Sequence, residues 1–153
     1  MDMERFTTLA QQAITQALSI ATSFKHAELA PLHILCALIE DASGTTRSLI
    51  KRGGGDPVRV AELATAQLNK MPTVTGAQPQ TSQVVMQILN DSLETAKTMG
   101  DSHATVEHLL LALSKVKSNA KDVIELGGVT SSDIEQAIKM IRKDSGVTNV
   151  NNE

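Results

Sequence analysis

Few residues in this chain have types and spacings that could do chemistry. His33 and Cys36 stand three apart, one helical turn, as a permissible pair of soft metal ligands. No H-E-x-x-H, no C-x-x-C and no second ligand pair accompany them, and Cys36 lies in an apolar stretch where a free thiol acts as a small hydrophobe. Glu107 and His108 could be an acid and a base, yet adjacent helical residues point in different directions. The S-x-x-K pattern of some acyl enzymes occurs twice, at Ser48–Lys51 and Ser118–Lys121, without the K-T-G that should accompany it. Gly53-Gly54-Gly55 continues as Asp-Pro-Val-Arg and lacks the lysine of a phosphate loop, so it reads as a helix stop and a turn. These residues predict neither an enzyme nor a bound cofactor or metal.

The elements that would position them are helical. Phe6, Leu9, Ala10, Ala13, Ile14, Ala17, Leu18 and Ala21 form one stripe at a period near 3.6, with Thr7 or Thr8 as its cap. Pro31 opens a short apolar helix to Glu40, and Thr45 is placed to cap a third helix ended by the Gly53 triplet. Asp56-Pro57 starts a fourth, to about Asn69. Residues 71–80 (MPTVTGAQPQ) are aperiodic and read as a linker.

The second half repeats the first. An offset of 75 carries Ala10, Ala13, Ile14, Leu18, Ala21 and Phe24 onto Val85, Ile88, Leu89, Leu93, Ala96 and Met99, all apolar. The same offset lays His33–Leu38 on His108–Leu113, and after one deletion Gly53-Gly54 falls on Gly127-Gly128. Ser132 with Glu135 fits a capping box for the last helix. The expected architecture is all-α, two four-helix units related by a pseudo-twofold, with no sheet. Its boundaries are 1–70, a linker at 71–80, 81–143, and a polar tether at 144–153.

Composition narrows the partners. Lys and Arg number 14 against 17 Asp and Glu, a net charge of −3 that offers no general attraction to nucleic acid or anionic lipid. Phe6 and Phe24 are the only aromatics, too few for base-stacking platforms. One cysteine forbids an internal disulfide and fits a reducing compartment. The longest apolar run, Leu109–Leu113, falls far short of the roughly 20 residues that cross a bilayer. No secretory signal opens the chain. The expectation is a cytoplasmic domain, monomeric when isolated, binding neither nucleic acid nor membrane.

Several segments then resemble a known family. Glu4-Arg5-Phe6-Thr7 followed by Ala10-Gln11 is similar to the start of the Clp N-terminal repeat. Pro31–Leu35 and Val106–Leu113 resemble its PLHLL and TEHLLLAL segments, and Leu68–Gly76 resembles the LN-K-LP-x-V-x-G stretch of the ClpB disaggregase branch. The resemblance covers about residues 1–143. It implies a domain cut from a homohexameric AAA+ chaperone that uses ATP and Mg in modules absent here and works with a DnaK-type system. It also implies weak binding of unfolded or aggregated polypeptide, delivered to a central pore.

By the same resemblance Thr7, Asp101 and Glu107 handle substrate. A pseudo-twofold pair can bring the first helix of one copy near the second helix of the other, so the expectation is a shallow groove with apolar walls and this trio at its rim. Each also has a structural reading: an N-cap, a turn residue after Gly100, and first-turn dipole compensation. An apolar pair lining the groove in relatives falls at Thr95 and His108, both polar here. The ClpC branch carries a glutamate in both repeats, implicated in phosphoarginine and adaptor recognition. This chain has Leu32 in the first copy, which favours the ClpB branch. A ClpC- or ClpA-type adaptor module and a stand-alone Clp-repeat protein remain the alternatives.

Overall fold

Eight helices dominate the computed structural model, which describes residues 2–76 and 78–145. They are α1 (Thr8–Ser23), α2 (Pro31–Glu40), α3 (Thr45–Arg52), α4 (Pro57–Lys70), α5 (Gln83–Thr98), α6 (Val106–Lys115), α7 (Asn119–Leu126) and α8 (Ser131–Ser145). The starts of α5 and α6 follow those of α1 and α2 by 75 residues, and those of α7 and α8 follow α3 and α4 by 74. The repeat arithmetic therefore holds element by element. Most of the expected tether lies outside the described residues; Asp144 and Ser145 complete the last turn of α8.

The apolar helices α2 and α6 touch at the centre, and each is packed by helices of both halves. Leu32, Ile34, Leu35 and Leu38 of α2 and Leu109–Leu111 and Leu113 of α6 are almost wholly buried. Val85, Ile88 and Leu89 face this core, as the repeat requires.

The halves are joined by backbone as well as side chains. Thr7 donates its N–H to the Ala104 carbonyl at 2.9 Å, and Ala104 donates back to Arg5 at 2.8 Å. The related exchange makes a two-residue parallel ladder, β1 (Glu28–Leu29) with β2 (Gln80–Thr81), in which Ser82 donates to Leu29 at 3.2 Å. This corrects the expectation of no sheet, and trims the 71–80 linker, whose last residue is in β2. The cause is the pseudo-twofold: the strand before α1 lies beside the strand before α6, so the strand before α5 lies beside the strand before α2. The linker is tied at one further point, where Val74 donates to the Lys25 carbonyl at 2.8 Å.

At the other end of the axis the glycine turns meet. Asp56 donates its N–H to the Gly127 carbonyl at 2.9 Å, and a Cβ on Gly127 would stand 2.2 Å from the Val60 side chain. Gly54 and Gly128, an offset of 74, take φ of 99° and 100°, which side chains rarely tolerate.

Several local expectations are corrected. Phe6 precedes α1 in extended backbone after a 3-10 turn (Met3–Arg5), although it is fully buried. Leu18 is 43% exposed, at the edge of the stripe. Gly44, at φ 73°, caps α3, which moves Thr45 into the helix. Helix α8 begins before Ser132 because Thr130 and Asp133 make the capping box: Asp133 Oδ2 accepts from the Thr130 N–H at 2.9 Å and Thr130 Oγ1 from the Asp133 N–H at 3.3 Å.

Candidate functional site: two related polar nodes

Thr7 caps α1, its Oγ1 accepting from the Ala10 N–H at 3.2 Å, and is wholly buried. Its backbone bond to Ala104 places the N-terminus of α1 beside the turn that opens α6. Asp101 and Glu107 flank that turn. Their carboxylates are joined by Arg142 from the last turns of α8, with Nη1 2.5 Å from Asp101 Oδ2 and Nη2 2.9 Å from Glu107 Oε1. The side chains of Asp101 and Glu107 are only 7% and 8% exposed. A solvent-facing polar rim is thus corrected: the carboxylates are turned inward because a guanidinium of the same chain neutralises them. Thr95 is half-buried on α5.

His108 completes the node and is fully buried. Its Nδ1 accepts the Thr105 N–H at 2.9 Å, so that nitrogen carries no proton. The ring is therefore neutral, with its proton on Nε2, 3.0 Å from Asp101 Oδ2 and imperfectly aligned for a hydrogen bond. Burial and then Arg142 push the His108 pKa down, against the opposing pull of Asp101. Burial also works against the charge on Arg142, but Glu107 and Asp101 more than offset it and its pKa is raised.

The first repeat builds the same node from other residues. His33 Nδ1 accepts the Ala30 N–H at 2.8 Å, leaving Nε2–H to donate to His26 Nδ1 at 2.8 Å. His26 stands where the second repeat has Asp101, Leu32 where it has Glu107, and Leu68 where it has Arg142. A carboxylate–guanidinium pair in one copy is thus a leucine pair in the other. Burial, and then His26, push His33 down to about 4. Nε2 of His26 makes no well-formed hydrogen bond among the described residues; burial lowers the His26 pKa, against a smaller opposing pull from the Leu68 carbonyl.

His33 and Cys36 are both engaged in the fold. Both His33 nitrogens are committed, and burial followed by Glu40 pushes the Cys36 thiol up to about 12, which disfavours the thiolate that binds metals. Among the described residues no group of three or more His, Cys, Asp or Glu could hold a metal ion. Glu107 and His108 bind different partners and form no acid–base pair. Sequence reasoning missed Arg142 and His26. The signal was present in the repeat register, where Leu32 and Leu68 are exchanged for opposite charges.

One cleft of about 270 Å³ opens elsewhere, between α1, α2 and α4, lined by Ile20, Phe24, Ile39, Ala61 and Leu68 with Cys36, Glu40 and Thr65. That is slightly below the roughly 300–1,000 Å³ of small-molecule pockets and suits protein side chains.

The fold and the paired nodes define an all-α double-repeat domain. Residues 5–126 match the family described as the Clp repeat (R) N-terminal domain, and the chain belongs to that family. Among curated relatives it is 34% identical to the chaperone protein ClpB of Propionibacterium freudenreichii and 35% identical to that of Rhizobium meliloti. Each match covers 100% of this chain and 18% of the relative, so the chain spans less than a fifth of those proteins. The Hsp104 N-terminal domain from Candida albicans superposes with a TM-score of 0.81 at 23% identity, over 96% of this chain and 95% of that one. A ClpV N-domain in complex with a VipB peptide gives 0.73 at 18% identity, over 95% and 92%. No described helix is long and apolar enough to cross a membrane.

Two outcomes test this site. Arg142→Leu strands two buried carboxylates and should cost about 3 kcal/mol in urea unfolding. Glu107→Leu/Arg142→Leu, which copies the first repeat at those two positions and leaves only Asp101 without its guanidinium, beside His108, should recover part of that loss. Additive losses would show that the pair is not coupled. Separately, a His33 whose folded pKa lies below its unfolded 6.5 stabilises fully above pH 6.5, and that stability is lost as pH falls toward 4. The urea midpoint should therefore drop between pH 7 and 4.5, and less steeply in His33→Asn; equal slopes would contradict the assignment.

Proposed function

We propose that this chain is the client-engaging N-terminal domain of a ClpB-type disaggregase. The observation that carries the reading is the match of its whole length to under a fifth of ClpB. ATP and Mg would act in modules outside this sequence, in a homohexamer working with a DnaK-type partner. A tethered domain of this kind needs only weak affinity, because tethering raises the local concentration of client near the pore. Thr7, Asp101 and Glu107 then serve client handling by fixing how α1, α6 and α8 meet, with the buried His108 completing their node and Thr95 half-buried on α5. Leu32 in the first copy, and a Glu107 already paired with Arg142, speak against the phosphoarginine-reading alternative.

The test is binding by the 153-residue chain. Reduced, carboxymethylated α-lactalbumin should bind with a Kd on the order of 10–100 µM, native lactalbumin far more weakly, and ATP not at all by calorimetry. Micromolar ATP binding, or equal affinity for native and unfolded lactalbumin, would overturn the reading.

A further inference from the structure

The two repeats are related helix by helix, so each wall of the α1–α2–α4 cleft has a counterpart between α5, α6 and α8. Ile20 corresponds to Thr95 and Glu40 to Lys115 at an offset of 75, and Ala61, Thr65 and Leu68 correspond to Glu135, Lys139 and Arg142 at an offset of 74. The counterpart face is crossed by charge. Glu135 pairs with Lys115 at 3.5 Å and with Lys139 at 3.2 Å, while Arg142 is drawn to Asp101 and Glu107. A chain laid on that face would have to break those pairs and would find few apolar walls.

The first-repeat cleft has the opposite character. Its walls are apolar, and the carboxylates on and beside it, Glu40, Asp41 and Glu62, form no ion pair among the described residues. Neither lysine nor arginine lines the cleft or its two neighbouring depressions, and the nearby Arg47 directs its guanidinium to the Ile39 and Asp41 backbone carbonyls at the end of α2, away from the carboxylates. An occupant must therefore bring apolar area to the walls and positive charge to the rim. The sequence of this chain's own end, residues 146–153 (GVTNVNNE), has no Lys or Arg, a carboxylate, and no side chain larger than valine apart from Asn and Glu. It does not fit.

We propose that the α1–α2–α4 cleft of the first repeat is where this chain takes up client: an unfolded segment whose large apolar residue is flanked by Lys or Arg, with Glu40 meeting the cation. The proposal rests on the client-engaging reading and assigns it a place. Apolar burial supplies most of the affinity, and the acidic rim selects among equally apolar segments and speeds their arrival.

The probe is a synthetic Gly/Ser peptide with a central Leu-Lys-Phe-Lys, titrated into the isotope-labelled chain and followed by amide chemical shifts. Shifts should cluster at Ile20, Phe24, Ile39 and Leu68, and a Leu-Glu-Phe-Glu peptide should bind about tenfold more weakly or worse. The variant Glu40→Lys/Ala61→Glu/Thr65→Lys, which installs the second repeat's charges, should abolish the shifts with helical circular dichroism unchanged. Thr65→Lys alone, at an exposed position, should weaken binding at least about threefold and guards against misfolding of the triple variant. Shifts clustering around Thr95, Lys115 and Glu135 would overturn the cleft assignment while leaving the client-engaging reading intact. Concentration-dependent shifts at the cleft without peptide would mean that a second copy occupies it, and would overturn the assignment. Equal binding of both peptides would overturn the role of Glu40. No shifts up to about 1 mM peptide would overturn the cleft and the client-engaging reading together.

Discussion

Thr7 and Ser82 each donate a backbone N–H to the other repeat, to Ala104 and to Leu29 respectively, and each then caps the helix that follows it. The first residues of either repeat are thus fixed by the partner repeat before their own helix begins. This constraint dictates much of the rest. It brings α1 beside the turn that opens α6 and α5 beside the segment that opens α2, and so draws the two apolar helices together. Each half alone would leave one face of α2 or α6 in water, and burying such a helix is worth far more than any single surface pair. The glycine turns matter for the same reason: side chains at Gly55 or Gly127 would push Val129 or Val60 and hold the two halves apart.

Within this shared scaffold the polar nodes diverged. Both keep a histidine whose Nδ1 accepts the backbone N–H at the start of its helix, a bond that forces a neutral ring with its proton on Nε2. What faces that proton differs: a second histidine in the first repeat, an aspartate shared with arginine in the second. Exchanging Leu32 and Leu68 for Glu107 and Arg142 moves two residues together, since either charge alone would be buried without a partner. The consequence reaches the surface. Where arginine and the neighbouring Lys–Glu–Lys series occupy the second copy, the first copy has an apolar cleft.

Much of the fold was legible because helical period and internal repetition are properties of one sequence. The offsets of 75 and 74 located all eight helices, and Asp56-Pro57 located the start of α4 to the residue. Local caps were less legible. Ser132-x-x-Glu135 and Thr130-x-x-Asp133 both suit a helix start, and only the turn after Gly127-Gly128 decides between them. Phe6 fits the helical stripe in sequence, yet it is held in extended backbone by its pairing with Ala104, a residue 98 positions away. The site was legible only in part. Motif resemblance pointed to Thr7, Asp101 and Glu107, but nothing local to them shows that Arg142, from another helix, turns the carboxylates inward. That information lies in comparing the repeats position by position for paired changes of character.

Native-state hydrogen exchange tests the interlock most directly, because it reads the opening free energy of each half separately. If each repeat is positioned by the other, the amides of Thr7, Gln80, Ser82 and Ala104 should exchange only through global unfolding. The slowest amides of α2 and α6 should then share one free energy and one denaturant dependence. If helices α5–α8 open at a lower free energy than α1–α4, or if those four amides exchange as freely as an exposed loop, the repeats are merely neighbours and the account fails.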